Sequence, residues 1–349
     1  MKTTFNLQSI IRDNVKAMKP YSSARDEYVS DGSKMVFLDA NENPFENGVN
    51  RYPDPQQRNL KNVIADQKGV NVNQILLGNG SDEVLDLLFR AFCQPKKDNI
   101  ITLPPTYGMY TVLSNLNEIE ERKVQLEADF QPNVEAILDA VDANSKMLFI
   151  CSPNNPTGNL ISLERIRKLL ENFNGLVVVD EAYIDFSEQE SWITELGNYP
   201  NLVVTQTLSK AYGLAGIRLG LCYASAEIIE VLNKIKPPYN VNELTQKKAL
   251  ERVLDVTSVK SEIVSILKSR ELLIKALLKV NFVEKIYDSE ANFILVKVNN
   301  ATTRYNQLLN KGLVVRNRTS QVLCKDTLRF TVGTPQENEL LIKALNELD

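Results

Sequence analysis

The chain contains no histidine. That absence removes Ser-His-Asp and Cys-His mechanisms and most zinc sites, so proton transfer must fall to Lys, Tyr, Asp, Glu or a bound cofactor. Cysteine is scarce. The four present, Cys93, Cys151, Cys222 and Cys324, are too widely spaced for a metal or redox pair, which points to reduced thiols and a cytoplasmic setting. Apolar runs last only a few residues, so none is expected to span a bilayer, and the N-terminus shows no secretory apolar core. Positive charge is not in excess either. A formal net charge of -4 speaks against a nucleic-acid partner held by phosphate contacts.

What remains is a chain of 349 residues, 43% hydrophobic, long enough for two domains with substantial cores. Residues 1–30 read as a polar arm, packed on a small domain or a partner subunit. Residues 31–240 read as a large domain and 241–349 as a smaller one. In the large domain Val36–Asp39 suggests a short strand and Leu60–Gln67 a helix. Gln74–Gly78 and Asn99–Leu103 suggest strands, with a helix from Val84 to Phe92 capped by Ser81. Met147–Ser152, Gly175–Asp180 and Leu202–Thr205 are buried-strand runs, with a helix expected in each interval. Their spacing, near the roughly 30 residues of a βαβ crossover, predicts an α/β fold with a mostly parallel central sheet and flanking helices. Beyond Lys236-Pro-Pro-Tyr239 the pattern changes. One or two charged amphipathic helices fill Asn242–Lys279, and strands follow at Asn292–Val298, Leu313–Arg316 and Thr327–Val332. Thr334-Pro-Gln-Glu337 is a capping box opening a last helix, completing an α+β domain.

Ligands of parallel sheets bind beyond the carboxyl ends of the strands. Asn154, Asp180 and Lys210 all fall at such ends. Lys210 lies in Thr205-Gln-Thr-Leu-Ser-Lys-Ala-Tyr-Gly-Leu-Ala-Gly-Ile-Arg218, among small and hydroxyl residues. Burial disfavours an ammonium ion, which makes this lysine a candidate Schiff-base nucleophile, although most lysines are simply solvated. Asn79-Gly-Ser-Asp-Glu83 joins a strand to a helix. It is either an ordinary link or a cradle of free N–H groups for an anion. Asp82 and Glu83 suit the helix dipole but repel a phosphate unless their side chains turn away.

A buried lysine beside an anion cradle suits a phosphorylated aldehyde, and pyridoxal phosphate fits each part. Lys210 would bind it covalently and move the substrate's α-proton. Asp180 would face the pyridinium nitrogen, the electron sink for a carbanion. Asn154 and Tyr183 would bond the ring hydroxylate. Gly80, Ser81, Ser209 and Arg218 would hold the phosphate, and Asp82 and Thr207 belong to the same cofactor-binding set. Tyr107 is either a core tyrosine or a ring that stacks on a flat ligand.

Ser152-Pro-Asn-Asn-Pro-Thr-Gly158, Asp180-Glu-Ala-Tyr183 and Ser209-Lys-Ala-Tyr-Gly-Leu-Ala-Gly-Ile-Arg218 resemble, in order, the motifs of the fold-type I aminotransferases. Further peptides are similar to the histidinol-phosphate branch of that class. They are Pro20-Tyr-Ser-Ser-Ala-Arg25, Leu38-Asp-Ala-Asn-Glu-Asn-Pro44, Arg51-Tyr-Pro-Asp54, Gly78-Asn-Gly-Ser-Asp-Glu83, Pro105-Thr-Tyr-Gly-Met-Tyr110 and Val315-Arg316 before Leu328-Arg-Phe-Thr-Val-Gly333. The resemblance implies the PLP-dependent transferase fold of type I and a homodimer with the site at the subunit interface. It implies amino transfer from a phosphorylated amino alcohol to a 2-oxo acid, a step in histidine biosynthesis. Tyr52 would reach the partner's cofactor phosphate. Arg329 would clamp the carboxylate of glutamate or 2-oxoglutarate, and Arg316 and Tyr21 would hold the phosphate of histidinol phosphate, with Asn43 in the same substrate set. Arg318 is a rival to Arg316. Other readings are an aromatic amino-acid aminotransferase, a decarboxylase of the threonine-phosphate type, and a ligand-sensing protein that reuses the fold. The last normally carries a DNA-binding module, for which this chain has no spare segment.

Overall fold

Runs rich in valine, leucine and isoleucine become the middle of a seven-stranded sheet. In chain order its strands are β1 (Ile75–Asn79), β2 (Asn99–Thr102), β3 (Glu120–Lys123), β4 (Ser145–Cys151), β5 (Leu176–Asp180), β6 (Leu202–Thr207) and β7 (Leu219–Ala224). In space they lie in the order β1-β7-β6-β5-β4-β2-β3. The computed structural model describes residues 5–20 and 35–348. β6, β5, β4, β2 and β3 are parallel, and β7 runs antiparallel to both β6 and β1. β1 therefore points the same way as β6, and the loops after all six of these strands leave the sheet at one edge.

Side chains alternate across this sheet, as strand geometry requires. Val177, Val179, Leu202, Val204, Leu148 and Ile150 pack on one face, and Leu176, Val178, Val203, Met147 and Phe149 on the other. Both faces are covered, so these strands carry no polar face and read as continuous apolar runs. The crossover helix Leu163–Asn172 seats Ile166, Leu169 and Leu170 in the first layer. Each such side chain contributes roughly 1.5–3 kcal/mol by leaving water. Ser162 caps that helix through its hydroxyl.

A four-stranded antiparallel sheet follows, in the order β10-β11-β9-β8, built from β8 (Val283–Ile286), β9 (Phe293–Val298), β10 (Arg316–Asn317) and β11 (Thr327–Thr331). Helices Glu243–Leu254 and Val256–Leu277 precede it, and Pro335–Asn346 closes the chain with the expected capping box between Thr334 and Glu337. No helix among the described residues is long and apolar enough to cross a membrane.

Several local expectations need correction. Val36–Asp39 forms no strand; Val36 and Leu38 are 77% and 86% exposed, with no strand beside them to complete a ladder. The interval between β5 and β6 holds two 3-10 turns, Ile184–Phe186 and Trp192–Glu195, instead of a helix. The buried Glu181 carboxylate draws the Trp192 N–H at 2.7 Å and the Ser191 hydroxyl onto itself, which fixes that stretch as a turn. Gly80, not Ser81, is the N-cap of helix Ser81–Phe92. The strand expected at Leu313–Arg316 begins only at Arg316. Residues 5–17, expected to pack on a small domain or partner, instead set Ile10, Ile11 and Val15 into the second layer of the large sheet. There Arg12 N–H donates to Ala91 O at 3.0 Å.

Candidate active site

The site begins with sheet register. Asp180, the last residue of β5, lies opposite Cys151 of β4 and Thr205 of β6. Loops leaving these strands, together with those after β1 and β2, surround a cavity of about 120 Å³. Ser81, Asp82, Tyr107, Asp180, Tyr183, Thr207, Ser209, Lys210 and Arg218 all line it, as do Asn155 and Cys151. Residues from five separate segments thus converge on one rim.

Electrostatics sort these groups into roles. Lys210 is half-buried, its Nζ 5.9 Å above the Tyr183 ring. Burial, then the Arg329 and Arg218 charges, push its ammonium below the usual lysine range, while Asp180 and Asp82 pull the other way. Its amine therefore sheds a proton more readily than a surface lysine's. Asp180 is 3% exposed and accepts from the Tyr110 hydroxyl at 2.8 Å and from Ala182 N–H at 3.3 Å. Burial raises its carboxyl above the ordinary value and these donors oppose the rise. Such a carboxylate lacks a cationic partner of its own depth and is suited to facing a protonated ring nitrogen. Tyr183 is buried edge-on against Phe293, and burial first of all raises its phenol.

The anion cradle has a specific geometry. Gly80 adopts φ +83, and a Cβ there would lie 2.6 Å from Arg218 Nη2. Gly220 of β7 is as tightly placed, since its Cβ would lie 2.2 Å from Ser81 N. Only glycine lets the turn, the helix N-terminus and the guanidinium close up this way. Helix Ser81–Phe92 has no side-chain cap, so its first N–H groups remain for a ligand. Asp82 turns its carboxylate to Tyr107 Oη at 3.0 Å and Arg218 Nη2 at 3.4 Å, and Glu83 turns back to accept from Asn79 N–H. Arg218 sits in left-handed backbone at φ 56, a conformation that costs a non-glycine residue roughly 1–2 kcal/mol and clusters at functional positions. Uncapped N–H groups, three hydroxyls and a guanidinium beside a half-buried amine and a buried carboxylate fit pyridoxal phosphate.

One assignment changes. Asn154 does not line the cavity. Its Nδ2 donates to Pro105 O at 2.9 Å and Thr157 Oγ1 at 2.6 Å, and its Oδ1 accepts from Thr106 at 3.2 Å, so the amide is spent stapling two loops. Asn155 takes the place facing the site. Its Nδ2 lies 3.5 Å from Tyr183 Oη, and its Oδ1 accepts from Arg329 Nη1. Two adjacent asparagines gave the sequence no means of choosing between them. Tyr110 was also missed, because it reads as one more apolar position on its helix.

At the mouth, Arg316 pairs in register with Arg329, and Arg318 follows two residues on. Arg316 is exposed, Arg318 half-buried. Burial and then the Arg318 charge push Arg329 down to about 10, and burial and then Arg316 lower Arg318. Among the described residues no carboxylate contributes to either shift, and the Nε of both is buried without a partner. Such a cluster of cations favours an anion. Asn43 and Tyr52 lie away from this cavity. Asn43 is exposed, its Oδ1 accepting from Phe45 N at 2.9 Å; Tyr52 stacks on Tyr239 with centroids 4.5 Å apart and lines another cavity of about 470 Å³. Tyr21 lies outside the described residues.

The chain belongs to the class I and II aminotransferase family, whose pattern matches residues 33–345, and pyridoxal phosphate is its cofactor. Within that family it falls among the histidinol-phosphate aminotransferases. It is 66% identical over 347 residues to the histidinol-phosphate aminotransferase of Flavobacterium johnsoniae, with 99% of each chain covered. The histidinol-phosphate aminotransferase of Clostridium acetobutylicum has the same architecture, with TM-score 0.79 and 25% identity over 86% of this chain and 91% of that one. The fold is also that of a histidinol-phosphate aminotransferase from Sinorhizobium meliloti solved in complex with pyridoxal-5'-phosphate. That match has TM-score 0.78 and 22% identity, covering 85% of this chain and 83% of that one.

Proposed function

We propose that the chain transfers the amino group of L-histidinol phosphate to 2-oxoglutarate, giving imidazole acetol phosphate and L-glutamate. The observation that carries this reading is the pairing of one lysine-centred cavity with a cluster of arginines that no carboxylate among the described residues neutralises. Both substrates are anionic, and they occupy one site in turn.

When bound, pyridoxal phosphate supplies a carbonyl that carries the amino group and a ring that accepts electrons. The protein's residues do the rest. Ser81, Thr207, Ser209, Arg218 and the N–H groups after Gly80 hold the phosphate. Asp180 faces the ring nitrogen and favours its protonated form, and Tyr183 and Asn155 orient the ring hydroxylate. Tyr107 covers one ring face. Lys210 Nζ would take the proton from the donor's α-carbon and hold it for later return. Its lowered proton affinity suits this exchange. Arg329, steadied by Asn155, clamps the carboxylate of glutamate and 2-oxoglutarate. Arg316 grips the phosphate of the amino donor at the mouth, with Arg318 behind it.

Two copies are proposed to share the site. Val36, Leu38, Phe45 and Val49 are 77%, 86%, 79% and 53% exposed on one segment, apolar surface that a second copy would cover. Tyr52 lies on the same segment and would reach the neighbouring copy's cofactor. The four cysteines are free and buried, in keeping with a reducing cytoplasm.

A half-reaction tests the assignment. The cofactor-loaded protein is mixed separately with histidinol phosphate, phenylalanine and aspartate. Histidinol phosphate bleaches the cofactor band fastest, without release of carbon dioxide. Faster bleaching by phenylalanine, or stoichiometric carbon dioxide, contradicts the reading.

A further inference from the structure

Asp180 is the deepest charged group in the site, and something must keep it ionised. In many proteins a histidine serves such a carboxylate, and this chain has none. The first side-chain donor to it is Tyr110, fully buried on helix Met109–Leu116, whose Oη lies 2.8 Å from Asp180 Oδ2.

Packing fixes where that hydroxyl sits. The Tyr110 ring stacks on Phe149 of β4, with centroids 4.7 Å apart and planes at 22°. It also meets Tyr107 edge-on at 5.7 Å and 88°. The ring is thus held from two sides, independently of the carboxylate. Burial, and then Asp180 itself, raise the phenol well above its ordinary value, so it remains a neutral donor.

We propose that Tyr110 is a positioning residue: its hydroxyl holds the Asp180 carboxylate ionised and aimed at the cofactor's ring nitrogen. The inference rests on the reading that Asp180 faces that nitrogen. A buried carboxylate with too few donors takes up a proton. Asp180 would then cease to favour a protonated ring, and the electron sink would weaken. Among the groups around Asp180, Tyr110 opposes that protonation most strongly. Cys151 from β4 is a buried thiol, itself raised by burial and then by Asp180. Thr205, its register neighbour on β6, adds a weaker side-chain hydrogen bond, Ala182 N–H serves the other oxygen, and Asp82 adds a like charge. Tyr107 and Tyr183 are phenols raised by burial. Lys210 is the cation of the set, and catalysis requires it to exchange its proton.

The test is Tyr110→Phe, which keeps the ring and removes one oxygen. Two readouts need no substrate: the dissociation constant of pyridoxal phosphate, and the pH at which the bound cofactor's absorbance changes on the acid side. The proposal expects cofactor binding weaker by roughly 10- to 100-fold, the size of a lost hydrogen bond to a charged group. It expects the acid-side change to move to higher pH, because Asp180 then takes its proton earlier. Should Phe fail to give a folded protein, 3-fluorotyrosine at position 110 keeps the shape with a more acidic phenol and must move the change to lower pH. Unaltered binding and an unaltered acid-side change overturn the proposal. Weakened binding with no shift in that change also overturns it, since it marks a merely structural role. Asp180→Asn separates the underlying reading: if it leaves the cofactor's absorbance and affinity intact, Asp180 does not face the ring nitrogen, whatever Tyr110 does.

Discussion

Replacing Asn154 and Asn155 by alanine, one at a time, separates two jobs that adjacent residues of one type perform. Asn154 makes three side-chain hydrogen bonds, to Pro105 O, Thr157 Oγ1 and Thr106 Oγ1, and is 1% exposed. Each bond contributes about 0.5–1.5 kcal/mol, and alanine also strands the buried partners. Asn154→Ala should therefore cost about 2–4 kcal/mol of stability, read as a lower urea midpoint with unchanged slope. Asn155 binds outward, to Tyr183 and the charged Arg329. Asn155→Ala should cost about 1 kcal/mol of stability but roughly 10- to 100-fold in kcat/KM, the size of a lost hydrogen bond to a charged group. The assay is urea unfolding with turnover on both variants. A variant pair in which Asn154→Ala is the inactive but stable member would refute the geometry.

The arginine mouth and the buried Glu181 give two more predictions. Arg316→Ala should raise KM for histidinol phosphate by roughly 10-fold or more and leave KM for glutamate nearly unchanged, with a smaller rise for Arg318→Ala; an equal rise for glutamate contradicts the division of labour. Burial lifts the Glu181 carboxyl from 4.5 to about 7 against its Ser191, Trp192 and Gln206 donors. A raised carboxyl in the folded state means that the stability it contributes is full below about pH 4.5 and lost as pH rises through about 7. The loss is about 3 kcal/mol. Glu181→Gln should gain on the parent protein between pH 5 and 8, measured by urea unfolding, and a gap that does not change with pH counts against the assignment.

How much the sequence discloses depends on how each element meets water. β4, β5 and β6 were legible because both faces are buried, which leaves continuous apolar runs ended by turn residues. β3 was not. Glu120-Glu-Arg-Lys123 is a charged edge strand that pairs only with β2, so no apolar pattern marks it. β7 hides behind the lysine motif, and nothing local signals that it inserts antiparallel between β1 and β6. The site was legible in outline because its residues fall at strand ends, and Lys210, Asp180, Tyr183 and Arg218 do meet in one cavity. What pattern cannot supply is the direction of a side chain. Asn154 turns into the loop while Asn155 turns to the cavity, and Tyr110 reaches Asp180 through tertiary packing alone. Tyr52 and Asn43 remain apart from the cavity, on an exposed segment.

The account depends most on Lys210 as the residue that anchors the cofactor. Borohydride reduction of the cofactor-loaded protein, followed by digestion and peptide mass mapping, tests this directly. The account predicts one pyridoxyl-labelled peptide, carrying Lys210, and no label in Lys210→Ala, whose turnover falls by at least roughly 10²–10⁴-fold. A label on another of the chain's lysines, or undiminished turnover by Lys210→Ala, would contradict it.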